Sequence, residues 1–126
     1  VQGKPLSYSI DPDNEFVTIV GDFSNAEGWQ SMLNAIASDP LYKRGFSFIR
    51  DLRDSAYPVD VATVSRIIAV VDQFWSVLGA HRAAIVMGPT HQDPALVAHA
   101  LAEYHHLPIR AFTSFDDAVA WVRQRH

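Results

Sequence analysis

The sequence predicts an α/β domain in which one mixed sheet is covered by helices, in the order β-β-α-β-α-β-α-β-α. Three observations carry this. Two strand-like segments flank an Asp-Pro-Asp-Asn turn near the start, which reads as an antiparallel hairpin. After it, short apolar runs alternate with segments whose apolar residues recur at helical spacing, and that alternation gives parallel strands joined by right-handed crossovers. Finally, 126 residues with 48% hydrophobic and 19% charged content suffice for one core and not for two, so residues 1–126 are expected to form a single domain.

Leu6-Ser7-Tyr8-Ser9-Ile10 alternates apolar and polar residues, as a half-buried strand does, and Phe16-Val17-Thr18-Ile19-Val20 is its β-branched partner. Ser24-Asn25-Ala26-Glu27 fits a capping box. It opens a helix with Trp29, Met32, Leu33 and Ile36 on one face, which Asp39-Pro40 stops. Phe46-Ser47-Phe48-Ile49-Arg50-Asp51-Leu52 reads as the third strand. A long helix over residues 61–78 follows, capped by Asp60 and closed by Gly79. Its wide apolar face comprises Val61, Val64, Ile67, Ile68, Val71, Phe74, Trp75 and Leu78.

Ala83-Ala84-Ile85-Val86-Met87 is a continuous apolar run of the kind found in buried parallel strands. Asp93-Pro94 then caps a third helix through Leu96, Val97, Ala100, Leu101 and Tyr104. Pro108-Ile109-Arg110-Ala111-Phe112 is the last strand. Ser114 caps a closing helix that buries Phe115, Ala118, Val119 and Val122, with Arg123 and Arg125 at its carboxyl end.

Composition narrows the function classes. The formal charge is −4, with no basic tract to suggest nucleic-acid binding. Without cysteine there is no disulfide, thiol nucleophile or Cys-ligated zinc, and a cytoplasmic location is favoured. The most apolar stretch, residues 59–78, carries Asp60, Arg66, Asp72 and Gln73 and so reads as an amphipathic helix, not a membrane span. No glycine-rich phosphate motif follows any strand, so no nucleotide cofactor is expected. The six histidines include no His-Glu-x-x-His arrangement, and no metal is expected either.

Ligands in such sheets meet the carboxyl ends of the parallel strands. Two loops qualify: residues 53–60, with Arg53, Asp54, Ser55, Tyr57 and Asp60, and residues 88–93, with Thr90, His91 and Gln92. Arg53, Asp54, Ser55, Tyr57, Asp60 and His91 are the candidate binding residues. The serine lacks a Gly-x-Ser-x-Gly elbow, so no catalytic residue is assigned. Trp29 and Trp75 share helix faces with apolar residues and belong in the core. Trp121 lies beside the stripe of Phe115, Val119 and Val122, as an exposed interface aromatic or as edge packing. Apolar helix surface on so small a chain favours a homodimer over a monomer, with Trp121 or Trp75 in the contact.

The stretch Phe48-Ile49-Arg50-Asp51-Leu52-Arg53-Asp54-Ser55 and the ending Phe115-Asp116-Asp117-Ala118-Val119-Ala120-Trp121-Val122 resemble the SpoIIAA-like branch of the STAS domains, which include anti-sigma-factor antagonists. The resemblance spans nearly the whole chain. It implies a mixed sheet with helices packed on it and a regulatory or partner-binding role without catalysis. Antagonists of this family carry a phosphorylatable serine in an Asp-Ser-Ser-Gly-like motif at the start of the second helix. Here that region reads Pro58-Val59-Asp60-Val61-Ala62, with Asp60 at or next to the serine position, so a phosphorylation switch is not expected. A binding module is thus the first expectation, with an unidentified protein partner. A small-molecule binder (of a lipid or an anion) or an enzyme, using the crevice between the two loops, is the alternative.

Overall fold

The computed structural model describes residues 6–21, 26–53, 61–87 and 106–124. Within them lie β1 (Ser7–Asp11), β2 (Phe16–Val20), α1 (Ala26–Ser38), β3 (Ser47–Asp51), α2 (Val61–Leu78), β4 (Ala83–Val86), β5 (Ile109–Phe112) and α3 (Phe115–Val122). The five strands form one mixed sheet in the order β1-β2-β3-β4-β5. β1 and β2 are antiparallel, with Ser9 opposite Thr18, and β2 through β5 are parallel. The helix expected after Asp93-Pro94 and the caps at Ser24 and Asp60 lie outside the described residues.

The hairpin forms for the expected reason. The Asp11 carboxylate accepts from both the backbone N–H of Asn14 (3.1 Å) and its side-chain amide (2.8 Å), closing the turn locally. Glu15 takes the left-handed conformation at φ 61°. Side-chain alternation then divides the sheet into two faces. The first carries Tyr8, Ile10, Val17, Ile19 and Phe48, which pack with Trp29, Met32, Leu33 and Ile36 of α1 and Val70 and Leu78 of α2. On the second face, Phe16, Ile49, Ala84 and Val86 pack under Ala118 and Val122 of α3.

The α2 stripe is broader than its periodicity suggests. Ile68 and Leu78 are buried as expected, but so is Val70, which the expected face omits, while Val71, Phe74 and Trp75 are only half-buried. Val70 falls on the flank that α1 covers, and a helix with a neighbouring helix as well as a sheet to pack on buries a wider arc. Trp75 is correspondingly not a core residue, whereas Trp29 is.

The chain between α1 and β3 caps the far end of α2. Nη1 of Arg44 donates to the carbonyls of Ser76 and Val77, both at 2.9 Å, and the Tyr42 hydroxyl donates to that of Leu78 at 2.6 Å. Gly79 ends the helix at φ 60°, its N–H bonded to Trp75 O. An added Cβ there would stand 2.7 Å from Cζ of Arg44, so glycine is required both for the conformation and for the guanidinium's approach.

α3 is held at both ends. Ser114 Oγ accepts from the N–H of Asp117, the expected cap. At the other end, the last carbonyls meet groups from distant parts of the chain. Ser47, fully buried, donates to Val122 O; Arg82 donates to Trp121 O at 2.7 Å; the His81 ring contacts Gln124 O at 2.6 Å. These donors suit the negative end of the helix dipole.

Candidate functional site

All four parallel strands end along one edge of the sheet, and the expected site residues follow β3 and β4 in the sequence. The best-defined part of this edge is the end of β3. An apolar strand that finishes Ile49-Arg50-Asp51 must send its two charges to opposite faces.

Arg50 goes to the first face, which is otherwise apolar. Its Nη2 donates to Gly21 O at 2.9 Å and its Nη1 to Ile19 O at 3.3 Å, both at the end of β2. Its Cζ lies 5.5 Å from the centre of the Trp29 ring. Strand-end carbonyls and an aromatic face together make a half-buried guanidinium tolerable where no lysine head would fit as well.

Asp51 goes to the second face. Its Oδ1 accepts from Nε and the backbone N–H of Arg53 at 2.9 and 3.0 Å, and its Oδ2 from Nη2 at 2.8 Å. This is the bidentate fork geometry that gives strong carboxylate pairing. Burial pushes the Asp51 carboxyl up, but the Arg53 hydrogen bonds, with the charges of Arg53 and Arg50, outweigh burial and hold it below the usual carboxylate range. The Arg53 guanidinium in turn lies 4.5 Å from the centre of the Phe115 ring, at the start of α3. The pair is unequal: Asp51's side chain is 10% exposed, whereas that of Arg53, which braces α3, is 48% exposed.

Of the expected site residues, the structure therefore describes Arg53 and gives it a partner on each side. Asp54, Ser55, Tyr57 and Asp60 of the first loop and His91 of the second lie outside the described residues. Arg50, Asp51, Trp29 and Phe115 were not among the expected site residues. The signal for the first two was present, since adjacent charges at the end of an apolar strand mark a sheet edge. Nothing local in the sequence marks the two aromatic partners.

Two further features belong to this edge. Trp29 is 3% exposed, and among the described residues no group accepts from its Nε1, which is uncommon for a buried donor. An open groove of about 560 Å³ also runs between β1 and α1, lined by Leu6, Ser7, Tyr8, Gly28, Ser31 and Met32. Because β1 is antiparallel, its first residues lie beside the last residues of β2, at the same edge.

Trp121 is half-buried. It packs against Phe112 with ring centres 5.7 Å apart, and the guanidiniums of Arg82 and Arg110 lie 4.8 and 5.5 Å from its ring. Among the described residues there is no group of three or more metal-ligating side chains, and no helix is long and apolar enough to cross a membrane. His106 instead meets Asp72 of α2, at 3.1 Å. Comparison of the chain with protein-family models, curated proteins and solved structures finds no match.

Proposed function

We propose that this chain is a non-catalytic regulatory or partner-binding module of the SpoIIAA-like type. The observation that carries the reading is the arrangement at the end of β3. The residues that most resemble the family's signature, Asp51-Leu52-Arg53, hold β3 to α3: Asp51 is fixed by Arg53, and Arg53 lies on Phe115. A carboxylate fixed in this way is a poor general base, because it already accepts three hydrogen bonds and its basicity is lowered. Residues 54–60, which follow Arg53 in the sequence, are the segment proposed to meet the partner. With Asp60 in place of a phosphorylatable hydroxyl, that surface is constitutive.

Affinity capture with the intact chain tests this, comparing wild type with the loop variants Tyr57→Ala and Asp60→Arg. A protein retained by wild type, lost from both variants and rebound when purified supports the reading. If no retained protein depends on the loop, the reading fails.

One observation favours a second reading, a small amphiphilic ligand at the same edge. The groove between β1 and α1 joins apolar Leu6, Tyr8 and Met32 to the hydroxyls of Ser7 and Ser31. Titration with decanoate, followed by tryptophan fluorescence, tests it. A saturable change that Ser31→Leu abolishes by filling the groove supports this reading, and a flat titration removes it.

A further inference from the structure

β5 is an edge strand: among the described residues its only strand neighbour is β4. The carbonyls of Pro108 and Phe112 accept from Ala83 and Met87. By the alternation of a parallel pair, Ile109 and Ala111 therefore direct their carbonyls away from β4, and Ala111 its N–H as well. Arg110 stands in the middle of this edge. Its guanidinium lies over two rings, 5.3 Å from the centre of Phe112 and 5.5 Å from that of Trp121. No described residue hydrogen-bonds or ion-pairs with it. The result is an exposed guanidinium that rests beside two aromatic rings.

An unpaired edge invites strand addition, and a charge at its centre decides what is added. A second copy joining through β5 would bring Arg110 toward its own counterpart on the same face, and like charges facing each other across a strand pair are destabilising. An extended segment with carboxylates on that face can form a charge-assisted pair with a guanidinium that two aromatic rings help to position. Arg82, 4.8 Å from the centre of the Trp121 ring, adds to the positive field, in a chain whose net charge is −4. The outward backbone groups of Ile109 and Ala111 favour a polypeptide over a polyanion such as RNA, because only a polypeptide can pair with them in a ladder.

We propose that the outer edge of β5, with Arg110 stacked on Phe112 and Trp121, docks an extended acidic segment of a protein partner by strand addition. This rests on the partner-binding reading and deepens it with a surface built from other residues, so that the variants at residues 54–60 and those in β5 test the two readings with different substitutions and different ligands.

The test is fluorescence anisotropy with a labelled decapeptide of alternating Glu and Val, which places every carboxylate on one face of an added strand. A Lys-Val decapeptide and a labelled oligouridylate serve as competing ligands. Saturable binding of the Glu-Val peptide is expected. Arg110→Gln should weaken it about tenfold, equivalent to about 1.4 kcal/mol. Ala111→Pro should weaken it too, because it removes the outward N–H while leaving the bonds to β4 intact. Thermal unfolding of each variant confirms folding, and Arg110→Gln, at an exposed position, carries the test alone if Ala111→Pro unfolds. Absent binding, unchanged binding to Arg110→Gln, or preference for either competing ligand would overturn the proposal.

Discussion

Replacing Gly79 by alanine tests how α2 is terminated. Two effects act together. Alanine at φ 60° is strained by about 1–2 kcal/mol, of which roughly 0.5 kcal/mol is offset because alanine narrows the unfolded ensemble. The added Cβ would also stand 2.7–2.9 Å from three guanidinium atoms of Arg44. A flexible side chain moves away at little steric cost, but in doing so it gives up its bonds to Ser76 O and Val77 O. At this exposed helix end those are worth about 0.5–1 kcal/mol. The sum is a loss of about 2 kcal/mol. For 126 residues each kcal/mol moves the melting point by about 4 °C, so the midpoint should fall by about 8 °C. The assay is a double-mutant cycle with Arg44→Ala by urea unfolding. In the Arg44→Ala background only the backbone strain remains, and Gly79→Ala should cost about 1 kcal/mol. Equal losses in both backgrounds would show that the guanidinium does not cap the helix, and a loss below about 0.5 kcal/mol in wild type would refute the strain as well.

Three other outcomes follow from the same structure. Ile68→Ala should cost about 2–5 kcal/mol in urea unfolding, since Ile68 is 4% exposed and its loss leaves a cavity; a change under about 0.5 kcal/mol would place it at the surface. The depressed Asp51 carboxyl contributes stability that is present above its unfolded pKa and is lost as pH falls through the lower folded value. Asp51→Asn should therefore reduce the difference in urea midpoint between pH 6 and pH 2.5, and an unchanged difference would mean that the pair with Arg53 contributes nothing. Burial pushes the Tyr42 hydroxyl up to about 12 against the opposing charge of Arg44, so its contribution should be complete below about pH 10 and lost as pH rises through 12. Tyr42→Phe should flatten that alkaline limb, which is checked by melting points between pH 9 and 12.

Much of the architecture was legible because it rests on local chemistry. The Asp11-to-Asn14 turn, the β-branched runs, the extent of α2 and the Ser114 cap each follow from residues within a few positions of one another. What escaped the sequence is long-range. Periodicity shows that Val70 is apolar, but only the position of α1 decides that it is buried. The contacts of Arg44 with the end of α2 and of Arg82 with the end of α3 span more than thirty residues, and no spacing rule predicts them. The candidate site shows the same division. Arg53 is readable as a charged residue after an apolar strand. That it lies on Phe115, and that Arg50 lies on Trp29, depends on how two helices come to rest on opposite faces of the sheet.

The order of the strands also has a kinetic consequence. Each strand pairs with the one that precedes it in the chain, so the sheet can grow outward one strand at a time, with modest loop-closure entropy at every step. During synthesis the hairpin and β3 can assemble while later segments are still in the ribosome. The second face cannot be completed that way. Its cover, α3, folds back across the sheet, and Ser47 waits for Val122, seventy-five positions later. Until then Phe16, Ile49, Ala84 and Val86 lack the cover that α3 gives them among the described residues, so a nascent chain halted before residue 115 should be a substrate for chaperones.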